Sequence, residues 1–545
     1  MKNKIRKIYQ DFFDEYIELF PSCNDYLNIK KYSHMRDKLE NSLDDTHIER
    51  QKRLYRKYIK VINSLDKKSL SKDAILYNKV LKFHCSNALE FYRYNFILTP
   101  INHMENLLIY IFEMASGETI FEFNNKNDYH IFIRKINIFP KIVDSIIAKF
   151  RKGAEINYTL PKILAEKLYK QLGNAIKQQS YHNKNIKYKL DFDYNNILDV
   201  IFIPKTKELM LFLKNIYIPK CRNTIGMCHL INGPKEYKYL VKSSISLNMD
   251  IEKIHQYGMD EVERIYNEKL KIKEILNFNG TQKQFEKYLK NRKDLKYKNK
   301  TELINSYKIQ LGEINDTIMK TYFYENVRNK CHILPVPKYN EPFSAEAYYM
   351  GGDLENKRRG KFYINLKNYK DNNRIEVESL TLHEANPGHH YEITKTLENK
   401  NIPLFIKCSN NDAYQEGWAL YCENLGEYKT AESYYGKLNI EMTRALRLVV
   451  DTGIHYYGWS FDKSFKIYKK YSFDSNEQIK TQLMRYIAIP SQALSYKIGE
   501  KFIMDLLEKF KKNPGNKSYD SNQVMKEFHH RLLKYGPIPL NLIEL

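Results

Sequence analysis

The dipeptide Pro387-Gly388, inside "LTLHEANPGHHYEI" (380–393), constrains the fold more than any other pair of residues. Proline has no N–H to offer the carbonyl of His383, and its ring disfavours helix at Asn386. Gly388 then permits an unusual backbone angle. A helix entering through Leu380 and His383 therefore breaks before His389 and His390. In an unbroken helix, His383 and His389 would stand roughly 9 Å apart along the axis and about 240° apart around it. His383 and His390 would share a face but lie about 10.5 Å apart. Neither pair could meet at one point.

The break changes that. If it absorbs two residues, His389 falls where the second histidine of an HExxH helix stands; His390 would need three. In HExxH, imidazoles four residues apart reach one zinc at about 2.0–2.1 Å. His383 and His389 are therefore the expected ligands, with His390 as the alternative to His389. Glu384 is left free as general base toward a water activated by the metal. A third ligand should come from another helix. "DAYQEGWALYCENLGE" (412–427) offers Glu416, and Glu423 seven residues later on the same face.

Elsewhere the chain reads as helices. With 20 Gly and 16 Pro in 545 residues, turn-rich β architectures are disfavoured. Ile5, Ile8, Phe12, Tyr16 and Leu19 fall at helical spacing and predict an amphipathic helix stopped by Pro21. Asp11, Asp14 and Glu15 exclude a signal peptide there, and "ENLLIYIFEMASG" is too short to span a membrane. "KYLKNRKDLKYKNKTEL" (287–303) reads as a solvated connection. The pattern changes at "CHILPVPKYNEPFSAEAYYMGG" (331–352) and "GKFYINLKNY" (360–369). There Phe362, Ile364 and Leu366 alternate as in a strand, with a hairpin or loop around Gly351-Gly352.

The net charge of +24 is dispersed and comes with no nucleic-acid motif, so no specific nucleic-acid partner is expected. Seven scattered cysteines read as free thiols in a reducing cytosol. A cytoplasmic protein without membrane attachment is the expectation. Two units are expected from the length: a helical lobe over 1–220, and a metal-site lobe over 221–545 with a small β element at 330–370.

"SLTLHEANPGHHYE", "YQEGWALYCENLGE", "VVDTGIHYYGWS", "RYIAIPSQALSYKIGE" and "FHHRLLKYGPIPL", in that order, resemble the domain-of-unknown-function 885 family. The likeness runs from about residue 220 to the C-terminus and more loosely includes "LFPSCNDY". The resemblance implies a metallopeptidase-like protein related to gluzincins such as carboxypeptidase Taq and the thimet-type oligopeptidases. It implies His383, His389 and Glu416 as zinc ligands and Glu384 as base.

The expected fold is mainly α: a zincin-like, two-lobed, multi-helix protein with a small sheet beside the metal helix. The expected activity is zinc-dependent hydrolysis of short peptides. An inactive zincin-fold binding protein and a zinc hydrolase of a non-peptide substrate are the alternatives. His455 and Tyr496 are candidates to stabilise an oxyanion, and Arg485 to hold a substrate carboxylate. His390 and Tyr348 are further candidate contacts. His529 and His530 are expected to be structural, in a helix docking the C-terminus.

Overall fold

The computed structural model describes the chain apart from Met1, Glu118, 338–340, 342–345, Asn356, Asn368, Asp371, Pro514 and 516–519. Residues 338–340 and 342–345 of the stretch at 331–352 thus lie outside the described residues. Helices dominate. The first, α1 (Lys2–Leu19), buries Ile5, Phe12 and Leu19, the face its spacing predicts. The chain continues through α2 (Phe139–Glu155), α3 (Tyr194–Phe212), α4 (Ile251–Ile275) and α5 (Lys300–Asp316), with other helices between. The stretch at 287–303 is more ordered than expected. It holds the end of a helix at Gln282–Asn291 and the start of α5, because Leu289 and Leu303 are buried.

Three short strands follow: β1 (His332–Pro335), β2 (Ala347–Met350) and β3 (Lys361–Ile364). The order is β1-β3-β2, with β3 parallel to β1 and antiparallel to β2. Phe362, Ile364 and Leu366 point inward, as their alternation requires. Gly351-Gly352 opens the β2–β3 connection.

The C-terminal half contains α6 (Val377–Glu384), α7 (His389–Glu398), α8 (Asp412–Glu423), α9 (Ala431–His455), α10 (Asn476–Ala488), α11 (Ser495–Lys512) and α12 (Ser521–Leu533). Helix α9 is buried along most of its length, as a central helix must be. The largest apolar cluster joins Ile142 and Ile146 of α2 and Phe202 of α3 to Val262 of α4 and Leu446 and Val449 of α9. It draws on residues from both sides of residue 220.

Charge is also buried here. Lys497 of α11 meets Glu441, Glu500 and Glu261 at 2.6, 2.7 and 2.9 Å. Lys437 and Arg264 close on Glu441 from other sides. Cys23 and Cys408 pair as a disulfide across 385 residues of chain, correcting the expectation of free thiols for those two. Spacing that long leaves no mark in the sequence. The other five cysteines are free. Among the described residues no helix is long and apolar enough to cross a membrane.

Candidate metal centre

The break at Pro387-Gly388 is where the sequence puts it. Helix α6 ends at Glu384, Ala385 leaves the helical region, and α7 begins at His389. Gly388 also lets two stretches of main chain come close together. Its φ is −69°, open to any residue, but a Cβ there would stand 1.9 Å from the His383 carbonyl oxygen. Close approach requires glycine there. Trp418 of α8 fixes the turn by donating from Nε1 to the Pro387 carbonyl at 2.8 Å.

The two imidazoles then face each other at 4.9 Å between ring centroids. Glu416 enters from α8. Its Oε2 lies 3.5 Å from His383 Nε2 and 3.4 Å from His389 Nε2. One ligand atom from each residue lies within 4.8 Å of the others, a grouping able to hold a metal ion. These separations are long for charge-assisted hydrogen bonds, which run about 2.7–2.9 Å. Donors about 2.1 Å from a tetrahedral ion stand roughly 3.4 Å apart. Glu416 Oε2 is buried and has no hydrogen-bond partner, as a ligand atom would before an ion arrives. The donor set, two imidazoles and a carboxylate, fits zinc.

The surroundings orient these donors. His383 Nδ1 is 2.8 Å from Glu423 Oε1, and Ser379 donates to Glu423 Oε2 at 2.7 Å. The carboxylate fixes the imidazole so that Nε2 faces the centre, an arrangement typical around metal-binding histidines. From spacing alone, Glu423 shares the Glu416 face without a part of its own. The signal was available: Ser379, His383, Glu416 and Glu423 sit at whole-turn spacings on two helices. Burial lowers the pKa of His383, but Glu416 and Glu423 outweigh it and hold the imidazole at about 9. Burial raises Glu416, yet His389 and His383 keep its carboxyl well below the ordinary range. Glu384 is 9% exposed, and its charge also reaches His383.

The other candidates are distributed differently. His390 is engaged at both nitrogens, by Tyr349 at 3.0 Å and the Asn329 carbonyl at 2.9 Å, so neither is left to ligate. His455 accepts from the Met227 N–H at 3.2 Å and faces the Tyr486 carbonyl at 2.9 Å. Burial pushes its pKa down to about 3, and no ring nitrogen remains for an oxyanion. Tyr348 stacks on Tyr363 across β2 and β3 at 5.1 Å. Arg485 donates to the Tyr496 hydroxyl at 3.1 Å, so these two meet each other. His529 bridges Tyr421 and the Tyr322 carbonyl, both at 2.8 Å, and docks α12, while exposed His530 lies edge-on to Tyr324. A cavity of about 760 Å³ opens between α5 and the start of α6, lined by Glu302, Ile309 and Arg374, but none of the three ligand candidates lines it.

Residues 21–545 match the family described as "Bacterial protein of unknown function (DUF885)". The chain belongs to the DUF885 family. Among curated proteins, none matches. Two crystal structures share its fold. One is a candidate lipoprotein from Colwellia psychrerythraea, 21% identical, with a TM-score of 0.86 over 99% of this chain and 97% of that one. The other is a candidate lipoprotein of unknown function from Shewanella oneidensis, 16% identical, with a TM-score of 0.74 over 99% of this chain and 98% of that one. At these identities the likeness concerns the fold alone.

Proposed function

We propose that this DUF885 protein is a zinc-dependent hydrolase acting on short peptides, with a zincin-like, two-lobed arrangement around its centre. One observation carries the reading: the buried Glu416 Oε2, without a hydrogen-bond partner, stands at 3.4–3.5 Å from two imidazole nitrogens. His383, His389 and Glu416 would hold the ion, which when bound supplies Lewis acidity toward a carbonyl and a water of lowered pKa. Glu384, adjacent to His383, takes the proton from the attacking water and returns it to the leaving amine. Glu423 and Ser379 hold His383 so that its donor atom stays aimed. Strand β2 supports an extended substrate: it pairs only with β3 among the described residues, packs against α6, and leaves its other edge for a peptide backbone.

Metal analysis of the purified protein tests the centre. About one zinc per chain is expected, lost in His389→Ala and Glu416→Ala and kept in His390→Ala. Full retention in the first two variants would remove the assignment. A peptide-library digest tests the chemistry. Glu384→Gln should slow cleavage about 10²–10⁴-fold; unchanged cleavage would end the peptidase reading.

A further inference from the structure

Around Tyr496, at the start of α11, three guanidinium groups converge. Arg447 of α9 stands 4.1 Å from the centroid of the Tyr496 ring, and Arg444, one turn earlier, 5.9 Å from it. Arg485 of α10 donates through Nη2 to the Tyr496 hydroxyl and to Gln492 Oε1, each at 3.1 Å. None of the three forms an ion pair among the described residues. Arg447 is 4% exposed, and its Nε and Nη1 have no hydrogen-bond partner. The Nε atoms of Arg444 and Arg485 are also buried and unpartnered. The ionisable groups acting most strongly on Arg447 are the hydroxyls of Tyr496, Tyr486 and Tyr468, not carboxylates.

This is not how the protein treats its other buried cations. Lys135 and Lys269 meet carboxylates at 2.8 and 3.0 Å, and Arg358 donates to the carbonyls of Asp25 and Tyr26. A guanidinium cannot discharge by losing its proton, and a buried charge is costly unless it is paired and hydrogen-bonded. Two carboxylates act on the flanks of the cluster from beyond ion-pair distance, Glu376 on Arg444 and Asp412 on Arg485, but none pairs with Arg447, and the unpartnered guanidinium nitrogens are left to take an anion. Gln492 ties the site to the metal centre. It accepts from Arg485 and also reaches the Asp412 carboxyl, whose charge Arg485 itself favours, and Asp412 precedes Glu416 by one turn of α8, about 5.4 Å.

We propose that Arg444, Arg447 and Arg485 form an anion subsite that receives the C-terminal carboxylate of a peptide lying across the centre. The inference rests on the peptidase reading and deepens it, making the substrate a peptide with a free C-terminus. Planar forked donors match a carboxylate bidentately. They match phosphate equally well, so phosphate is the competing source to be separated by experiment. Tyr496 positions two of the guanidiniums by its ring and the third by its hydroxyl.

The test is binding to Glu384→Gln protein, followed by calorimetry, with tetra-alanine as free acid, tetra-alanine amide and inorganic phosphate. The free acid should bind at least tenfold more tightly than the amide. Arg485→Gln, at a partly exposed position, should abolish the preference, and Arg485→Lys should restore part of it. Arg447→Gln should do the same in protein whose thermal unfolding is unchanged. Equal binding of acid and amide, a preference that survives Arg485→Gln, or no binding of any probe would overturn the subsite. Arginine-dependent binding of phosphate alone would overturn the carboxylate assignment. Turnover by zinc-loaded wild type decides the peptidase reading separately. Cleavage of acid and amide at equal kcat/KM would leave that reading standing and remove this one.

Discussion

Two buried charged regions, both involving α8, α9 or α11, are built on opposite terms. Around Lys497 each charge faces an opposite one, with Glu441 shared between Lys497, Lys437 and Arg264. At the candidate centre Glu416 Oε2 is buried without a hydrogen-bond partner, and the imidazoles beside it stand at a tetrahedral spacing rather than a hydrogen-bonding one. In the first region Lys497 has its three carboxylates within 2.9 Å. On the proposed reading, the second is spaced to receive a metal ion. On that reading, the distance between buried charges, rather than burial alone, separates the two regions.

Removing one partner from the first region should have the largest effect on folding. Lys497→Met leaves buried carboxylates facing each other and should cost about 3–5 kcal/mol, read as a shift in urea midpoint, with zinc stoichiometry unchanged in the folded protein. Zinc loss in a folded Lys497→Met protein would erase the contrast. Gly388→Ala comes next. Its added methyl meets the His383 carbonyl and should cost about 1–3 kcal/mol and displace His389, lowering zinc content. A variant with normal stability and normal zinc would show that the turn can relax.

Much of this was legible in the sequence. Helical spacing gave α1 its face, alternation gave β3 its direction, and Pro387-Gly388 located the break between the two histidines. What was not legible depends on contacts between distant segments. Neither nitrogen of His390 or His455 is free, yet nothing in "PGHH" or "DTGIH" says so. The arginine cluster draws on α9 and α10, and only the approach of those helices to Tyr496 makes it a cluster. The Glu416–Glu423 spacing showed a shared face, but a face does not identify what lies across it.

Two smaller effects sharpen the comparison. Glu423→Gln keeps a hydrogen-bonding group on His383 but removes its charge, and should weaken zinc binding about 10–100-fold without unfolding the protein. An unchanged affinity, measured by chelator competition, would reduce Glu423 to a packing role. The last concerns protons. In metal-free protein the His383 pKa is about 9, above its ordinary 6.5. The stability this contributes is complete below that ordinary value and is lost as pH rises through the folded one. Zinc requires the neutral imidazole. Binding at pH 7 should therefore release about one proton and binding at pH 10 close to none, as read by calorimetry in buffers of different ionisation enthalpy. No release at pH 7 would show that His383 is already neutral.

Helices α8 and α11 cross at Gly417 and Gly499, where a Cβ on either residue would fall within 2.4 Å or less of the partner's backbone. The two main chains meet with no side chain between them that could change rotamer and take up slack. Glu416 is the residue before Gly417, and Tyr496 is three residues before Gly499. The separation between the ligand and the ring that gathers the arginines is thus fixed by main-chain contact, like the jaws of a locked calliper. A substrate spanning both would be measured by that gap, and its length would be read by the backbone before any side chain inspected its sequence.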